Sequence, residues 1–408
     1  MQIIRSLASK NFRYFISGQS VSLLGSWMQK VAVSWIVYQL THSAFMLGLT
    51  MFANLIPSLI LSPYAGSYAD RHNRYKILLI TQILLMVQAG LFTIVIFKKL
   101  DSVLIILMLS LMQGIINAFD TTARQSLLIN MVENKEDLSN AIAINSSMAN
   151  LTRILGPAIG GILLSTLGDT ACFFINFISY FFVLYSLAKM KLNLPPTKKQ
   201  EVNIWQTLKE GFTYIKGSPD FSSLILLMAG YSLFVIPFST LLPVFAKDIF
   251  KGDAATFSWF ESAAGIGALL GTVYIAGLKP DKNMLRVVLI ASMVFSMGVL
   301  LLSTSFNLLL ALGFTTLTGL GMMSQTAATN TYLQTHVSDA MRGRLISYFI
   351  MAYQGIIPIG SLLIGVMASA FGPKVTVFVA GVMGIISSLV FLYFKNKARK
   401  RKTVSLSI

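Results

Sequence analysis

The chain has 408 residues, of which 55% are hydrophobic and only 12% are charged. A soluble domain carries about 25% charged residues, so this composition excludes an ordinary soluble protein and indicates a chain that resides in a lipid bilayer. One spanning helix needs ~20 apolar residues, which leaves room for about twelve spans. The net charge of +17 would suit a nucleic-acid partner, but its distribution along the chain excludes that reading.

The chain offers few residues for metal or redox chemistry. It contains one cysteine and three histidines, so the sequence predicts no disulfide within the chain and no metal site. Cys172 lies in an apolar run, where we expect a buried and inert thiol. No small-residue cleavage site follows the first apolar stretch, so we expect no cleavable signal peptide.

The apolar runs predict an all-α membrane protein with twelve transmembrane helices. We place the spans at 13–40, 44–66, 76–97, 102–124, 139–167, 171–188, 221–246, 257–278, 287–304, 307–332, 345–371 and 374–394. With an even number of spans, both termini lie on one side. That side carries 25 of the 32 Lys and Arg residues when charges at span ends are counted with the nearer loop. By the positive-inside rule, we expect both termini to be cytoplasmic.

The spans group into two halves of six. The predicted domains are an N-terminal half at 1–188, a cytoplasmic linker at 189–220, a C-terminal half at 221–394 and a basic cytoplasmic tail at 395–408. In the linker, apolar residues recur at helical spacing from Ile204 to Ile215, which predicts an amphipathic helix in the membrane interface. We expect a monomer in contact with membrane lipids and with no nucleic-acid partner.

Glycines near the ends of the fifth and eleventh spans indicate an internal duplication. Three of them recur at a constant shift of 204 residues: Gly156, Gly161 and Gly168 match Gly360, Gly365 and Gly372. Two related six-helix halves with a site between them are typical of secondary transporters.

The loop between the second and third spans is short and dense in charge. It carries Gly66, Asp70, Arg71, Arg74 and Lys76. This pattern resembles motif A of the major facilitator superfamily, although Asn73 stands where the family has glycine. We expect Asn73 to take left-handed backbone as glycine would, and Gly66 to permit close helix approach.

The resemblance to motif A implies a cytoplasmic gate. Asp70 would meet the start of the eleventh span, near Arg342 and Arg344, and would release it when that side opens. An ordinary basic cytoplasmic turn is the alternative reading of the loop.

A second signature covers the fourth and fifth spans. It comprises Phe119-Asp120-Thr-Thr-Ala-Arg124-Gln125, Asn140 to Ser146 and Asn150 to Gly161. It resembles the enterobactin-exporter and macrolide-efflux-like branch of the same superfamily. Within it, Gly156-Pro157-x2-Gly160-Gly161 is similar to the core of motif C of drug/proton antiporters. The resemblance implies outward transport, with helices 1, 4, 7 and 10 around a central cavity.

Polar residues inside the spans are the candidates for a substrate site, because a charge at mid-bilayer costs ~2.5–3.5 kcal/mol on insertion scales. The first and fourth spans each carry a polar stripe at helical spacing. Hydrogen bonds between helices are the alternative explanation for such stripes. The candidate cavity residues are Gln19, Ser26, Lys30, Gln113, Asn117, Arg153, Tyr231, Gln325, Asn330, Tyr353 and Gln354.

Transport needs an energy source. The chain has no Gly-x4-Gly-Lys-[Ser/Thr] loop, which excludes this type of ATPase and leaves the proton gradient as the driving force, with no cofactor. The proton-coupling candidates are Asp120 and Glu261, the latter expected at the outer rim. Counting by depth pairs Asp120 with Arg153, and Arg124, four residues after Asp120, is the competing partner. Lys30 has no acid at its depth, which implies cavity water, an anionic ligand or loss of its proton.

The sequence therefore predicts an exporter of a small amphiphilic compound, either a siderophore-like metabolite or a drug, working by alternating access and proton antiport. A lysophospholipid flippase is the alternative within the same superfamily, and an importer is disfavoured by the motif C core. We expect no enzyme activity, because no span holds a nucleophile beside a base.

Overall fold

The computed structural model describes residues 2–100, 102–192, 204–278, 283–338 and 341–405, which form helices and no strand. The long helices, in chain order, are α1 Lys10–Thr41, α2 Ala44–Arg71, α3 Arg74–Phe97, α4 Val103–Met131, α5 Leu138–Thr166, α6 Asp169–Lys189, α7 Ile204–Gly217, α8 Pro219–Ile249, α9 Ala254–Ala276, α10 Met284–Thr304, α11 Leu308–His336, α12 Arg342–Phe371 and α13 Pro373–Ser405.

All of these helices except α1 and α7 are long and apolar enough to cross a membrane, which makes eleven in the described part of the chain. The first predicted span falls on α1, a helix of 32 residues whose polar side chains lower its hydropathy. The amphipathic helix predicted in the linker is α7. Its residue Ile215 is buried and Phe212 is 57% exposed, while the side chain of Trp205 lies outside the described residues.

Asn73 does not adopt the left-handed backbone that we expected from its place in motif A. Its φ is −66° and its ψ is 106°, which is extended backbone. The Asn73 carboxamide oxygen accepts hydrogen bonds from the backbone N–H of Tyr75 at 3.0 Å and of Lys76 at 3.1 Å. Asn73 is therefore the N-cap of α3, because a side-chain oxygen satisfies N–H groups that the first turn leaves unpaired.

The helices form two compact units. The first unit comprises Met1–Gln200 and Ala246–Ser262, and the second comprises Glu201–Phe245 and Ala263–Ile408. In the first unit, α1 packs against α2, α4, α5 and α6, and α3 packs between α4 and α6. In the second unit, α10 packs against α11 and α13.

Residues 246–262 lie in the predicted C-terminal half but pack within the first unit. The ring of Phe257 stacks on that of Trp35, with centroids 6.3 Å apart and planes 14° apart. The Tyr38 hydroxyl donates a hydrogen bond to the Asp248 carboxylate. The compact units therefore differ from the two halves predicted from the sequence at the end of α8 and the start of α9. The reason is that aromatic side chains of α1 bind this segment.

Two helices of the second unit are interrupted. In α8, π-helical turns at Tyr231–Val235 and Phe245–Ile249 flank a 3-10 segment at Ile236–Leu241. In α12, a π-helical turn spans Met351–Gly355. Pro237, Pro243 and Pro358 lie within these segments or shortly after them and lack the N–H that a regular helix needs.

The helices α8 and α12 contact each other at their irregular turns. The Ser232 hydroxyl donates to the carbonyl of Tyr353 at 2.7 Å. Gly360 lies against the carbonyls of Ser232 and Leu233, where a Cβ atom would clash. Close packing at a glycine thus lets α8 and α12 stay together although each is interrupted.

Glycines 204 residues apart occupy matching places in the two units. Gly168 separates α5 from α6 with φ 81°, and Gly372 separates α12 from α13 with φ 85°. Gly156 packs α5 against α1, and Gly360 packs α12 against α8. The shared backbone conformation and the shared helix pairing support the duplication inferred from the sequence.

Candidate functional site

The contact between α1 and α5 is made by the glycines of the motif C core. A Cβ atom at Gly156 would overlap the Cβ of Trp27, and one at Gly160 would lie 3.2 Å from the Cα of Met28. A Cβ at Gly161 would overlap the Ser258 side chain, within the segment that joins the first unit. These glycines hold α1 against α5 at a distance that larger residues would not allow.

Trp27, fixed in this contact, lies beside two cations. The Lys30 ammonium is 4.6 Å from the centroid of the Trp27 ring, and the Arg153 guanidinium carbon is 5.7 Å from it. Both distances are within the range of cation–π attraction. The Glu261 carboxylate acts electrostatically on Lys30. We call Trp27, Lys30, Arg153 and Glu261 the dibasic cluster; all four are partly buried.

Glu261 lies in the same unit as Lys30, because the chain around it packs beside α5. The expectation that no acid lies at the depth of Lys30 stays a prediction. Counting by depth favoured Arg153 as the partner of Asp120, and this was wrong, because the observed partner is Arg124, the competitor one helical turn away.

Asp120 lies in a second polar site between α3 and α4. Its carboxylate accepts hydrogen bonds from the Thr81 hydroxyl at 2.9 Å and from the Gln82 amide at 2.7 Å. Its other oxygen lies 3.5 Å from the Arg124 guanidinium, and the residue is only 3% exposed. Two hydrogen bonds and one ion pair therefore hold this buried carboxylate in place.

The predicted polar stripes combine hydrogen-bonded side chains with one buried oxygen that has no partner. On α1, Ser26 donates to the Ser22 carbonyl at 2.9 Å, and the buried Gln19 side chain has an oxygen without a hydrogen-bond partner. On α4, Gln113 accepts from the Asn54 amide at 3.1 Å, and Asn117 is partly buried. Hydrogen bonding between helices, the alternative we kept open, accounts for Gln113.

Sequence reasoning missed a network of buried amides in the first unit. The Gln29 amide donates to the Gln88 side-chain oxygen at 3.1 Å, and the Asn176 amide donates to the Gln29 oxygen at 2.7 Å. Gln88 in turn donates to the Leu109 carbonyl at 3.2 Å. The network connects α1 to α3, α4 and α6. Its only signal in the sequence was the presence of two glutamines and one asparagine in three separate apolar runs.

In the second unit, α11 carries buried polar groups without partners. Gln325 is 1% exposed, yet neither atom of its amide has a hydrogen-bond partner, and the hydroxyl of the buried Thr329 has none either. An unsatisfied buried polar group costs about 1–3 kcal/mol, so both groups are suited to binding a ligand or water. Asn330, the next residue, accepts from the Gln334 amide at 3.0 Å.

The other predicted cavity residues of the second unit do not share the unpartnered polar environment of Gln325. These residues are Tyr231, Tyr353 and Gln354. Tyr231 is fully buried, and its hydroxyl bonds to Ser292, Ser296, Gly384 and Ser388. This arrangement supports a packing role and removes Tyr231 from the site that we propose. The Tyr353 ring stacks on Phe349 at 6.1 Å, and Gln354 is exposed.

The predicted gate residues are only partly described. A Cβ at Gly66 would meet nothing within 4 Å, so the expected close helix approach there was wrong. Arg74 donates to the Ala69 carbonyl at 3.4 Å, and Arg71 and Arg342 are exposed. The Asp70 side chain lies outside the described residues, so its contact with the start of α12 stays a prediction.

Arg344, one of the predicted gate residues, forms an ion pair within the second unit. Its guanidinium is 2.7 Å from the carboxylate of Glu210 on α7. The Tyr348 hydroxyl also donates to the Leu208 carbonyl at 3.0 Å, and Gly211 packs on Tyr348. The linker helix is therefore fastened to the start of α12.

Long apolar helices in two units, with charged side chains held among the helices of the first, define a multi-pass membrane transporter. The chain matches the transmembrane secretion effector family over residues 4–407. It is 30% identical to the staphyloferrin A transporter of Staphylococcus aureus, over 96% of this chain and 97% of that one. It is 23% identical to macrolide efflux protein A of Streptococcus pyogenes, over 92% and 93%.

Among solved structures, the nucleoside transporter NupG superposes with a TM-score of 0.73, covering 94% of this chain and 98% of that one at 15% identity, which shows the shared fold. The chain belongs to the transmembrane secretion effector family of the major facilitator superfamily. This confirms the resemblance first seen in the glycines and charges of the fourth and fifth spans.

Proposed function

We propose that this protein is a twelve-span exporter of the bacterial inner membrane, with both termini in the cytoplasm. It moves a small amphiphilic anion outward by alternating access, in exchange for protons. The cargo is a siderophore-like compound that bears carboxylate or catecholate groups.

The observation that carries the proposal is the dibasic cluster. Lys30, Arg153 and Glu261 sum to one positive charge inside the first unit. Two cations beside one carboxylate in partly buried surroundings leave an excess charge that an anionic group neutralises. The face of Trp27 adds a stacking surface, which suits a cargo with an aromatic or otherwise planar part.

The relatives favour the same class of cargo without fixing it. The name of the first supports a siderophore, and the name of the second supports a drug. The two cations of the cluster favour the anionic alternative, because a neutral macrolide would leave the positive charge unmatched. In the second unit, the unpartnered amide of Gln325 offers one donor and one acceptor to the polar groups of a cargo.

Two forces can drive such export. With the cytoplasm negative, outward movement of an anion gains ~2.3 kcal/mol per charge per 100 mV, and proton antiport adds to this. Asp120 is the first candidate for proton exchange, because its contacts reach across α3 and α4 and open when those helices shift. Glu261 is the second candidate for proton exchange, because its carboxylate interacts electrostatically with Lys30.

The first test is metabolite profiling of the growth medium and of the membrane lipids, with the protein deleted and overproduced. An anionic compound that appears in the medium only when the protein is present supports the proposal and identifies the cargo. An unchanged medium with an altered distribution of lysophospholipids would replace it with the flippase.

The coupling is tested in everted vesicles loaded by uptake of that compound. Collapse of the pH gradient alone, with the electrical potential kept, should lower the transport rate if protons are exchanged. Loss of transport only when the potential is collapsed would show an electrogenic anion carrier and would reject antiport. Asp120→Asn and Glu261→Gln vesicles then show which carboxylate carries the pH-gradient response.

A further inference from the structure

Helix α7 has an exposed edge that the proposed export does not use. The edge carries Lys209, Phe212 and Lys216, and all three side chains are exposed. With 3.6 residues per turn, these positions lie within about 60° of one another around the helix axis. Two cations therefore stand beside one aromatic ring on the same side of α7, and we call this side the basic edge.

The other sides of α7 are occupied by contacts within the second unit. Glu210 forms an ion pair with Arg344 of α12 at 2.7 Å, and Ile215 is buried. Glu210 is the only acidic residue of α7. In the described part of the chain, the ammonium groups of Lys209 and Lys216 form no ion pair. The basic edge therefore has no counterion within this part of the fold.

The basic edge lies where a membrane-spanning helix begins. Helix α7 ends at Gly217, and α8 starts two residues later at Pro219. The Ser222 hydroxyl donates to the Ile215 carbonyl at 2.7 Å, which holds the end of α7 against the first turns of α8. Because α8 crosses the bilayer, α7 is held near the lipid headgroups. There an exposed Phe212 ring can enter the boundary of the acyl chains while neighbouring ammonium groups stay among the headgroups.

We propose that the basic edge binds anionic phospholipids. The headgroup phosphate contacts the ammonium groups of Lys209 and Lys216, and the Phe212 ring packs against the acyl chains beside it. The anionic ligand follows from charge, because two exposed cations without a counterion attract an anionic membrane surface. The choice of a lipid over free phosphate follows from the exposed ring, which adds nothing to the binding of a small inorganic anion.

A lipid bound at the basic edge restrains the start of α12. There α7 is fastened by the ion pair between Glu210 and Arg344 and by the hydrogen bond from the Tyr348 hydroxyl to the Leu208 carbonyl. The π-helical turn Met351–Gly355 follows directly. Bound lipid therefore fixes the part of α12 before this turn and leaves the part after it free to bend. Only the consequence that anionic lipid alters the export rate rests on the proposed function.

The first test is native mass spectrometry of the purified full-length protein after delipidation and addition of phosphatidylglycerol or phosphatidylethanolamine. We expect wild type to retain phosphatidylglycerol preferentially. Lys209→Gln combined with Lys216→Gln removes both charges, so retention of phosphatidylglycerol should fall about tenfold. Phe212→Ala should lower it about threefold, and Phe212→Leu, which stays apolar, should leave it within about twofold of wild type.

Lys98→Gln combined with Lys99→Gln is the matched control, because it removes two exposed lysines from the first unit. Thermal unfolding checks each variant; if the α7 double variant unfolds, the comparison of Phe212→Ala with Phe212→Leu still decides. Equal retention of both lipids by wild type, or equal losses in the two double variants, would overturn the site. Displacement of phosphatidylglycerol by inorganic phosphate, with unchanged retention in Phe212→Ala, would overturn the lipid as the ligand.

The restraint on α12 is tested by hydrogen exchange of residues 342–350 in nanodiscs with and without phosphatidylglycerol. We expect the lipid to slow exchange about threefold in wild type and in the Lys98 and Lys99 control, but not in the α7 double variant. Unchanged exchange in wild type would reject the restraint. Because neither measurement needs cargo or a gradient, a failure here leaves the proposed export standing, and failure of the export assay leaves the lipid site standing.

Discussion

The two units, alike in their glycine positions, differ in where they hold charge and where they interrupt the backbone. The spans of the first unit contain Lys30, Asp120, Arg153 and, through the segment that joins it, Glu261. The spans of the second unit contain no Asp, Glu, Lys or Arg away from their ends. Instead, α8 and α12 are interrupted by π and 3-10 turns.

The difference shows how a duplicated six-helix unit can specialise. Fixed charges need rigid support, and glycine packing between α1 and α5 provides it around Trp27. Interrupted helices offer places where a helix can bend, because their turns depart from regular α-helical hydrogen bonding. In the proposed exporter, the charges of the first unit would bind the cargo and the interrupted helices of the second unit would bend during transport.

The largest effect is expected from Asp120→Asn, which removes one charge of a buried ion pair in the first unit. Loss of the partner leaves the Arg124 guanidinium uncompensated, which costs about 3 kcal/mol for a buried pair. We expect a lower unfolding temperature and loss of the transport response to the pH gradient. Arg124→Gln is the reciprocal variant. An Asp120→Asn protein with wild-type stability and transport would remove this residue from both roles.

Gly156→Ala comes next, because its added Cβ would overlap Trp27. Displacing Trp27 disturbs both cation contacts at once, and overpacking of this kind costs about 1–3 kcal/mol, so we expect transport to fall about tenfold. The measure is the initial rate at equal protein level in the membrane. Gly313→Ala on α11 is the control, because its added Cβ would meet nothing within 4 Å. Equal losses in the two variants would show that the loss does not come from the contact of Gly156 with Trp27.

Lys30→Met tests the cluster as an anion site. The side chain keeps its length and loses its charge, so export of an anionic cargo should fall about tenfold, as expected for a lost charge-assisted contact. Export of a neutral macrolide should stay unchanged in the same cells. Ser26→Ala, one turn away on α1, serves as the control. A parallel loss for both cargoes would make Lys30 a structural residue.

Ser232→Ala examines the backbone contact in the second unit. It leaves the Tyr353 carbonyl without its side-chain donor, and one neutral hydrogen bond is worth about 1 kcal/mol. We expect a roughly threefold change in transport rate with cargo affinity unaltered, since the contact governs bending. Ser239→Ala, whose hydroxyl bonds within its own helix at 3.4 Å, is the control. A change in affinity instead of rate would assign Ser232 to the cargo site.

The smallest effect is expected from Tyr38→Phe, which removes one hydrogen bond to Asp248 while keeping the ring. The stacking of Trp35 on Phe257 still holds residues 246–262 in the first unit, so transport should change by about twofold or less. Cross-linking of cysteines placed in α1 and in this segment would measure its release. A tenfold effect on transport would show that this hydrogen bond, and not the aromatic packing, holds the segment.

Much of the architecture was predictable from the sequence, because each membrane-spanning helix is specified by one contiguous run of apolar residues. Apolar runs of spanning length gave the helices and their order along the chain. The family was recognisable for the same reason, since the glycines of α5 and the charges around Asp120 occur in short, contiguous stretches.

What the sequence did not decide was which side chains meet. Counting by depth along separate helices put Asp120 beside Arg153, and that inference failed. Asn73 proved to be a helix cap, and Tyr231 an anchor in a buried network. Composition and periodicity act within one helix and therefore determine the spans and their order. Partners of charged and polar groups depend on helix rotation and crossing, which only the tertiary packing of α1, α5 and residues 246–262 decided.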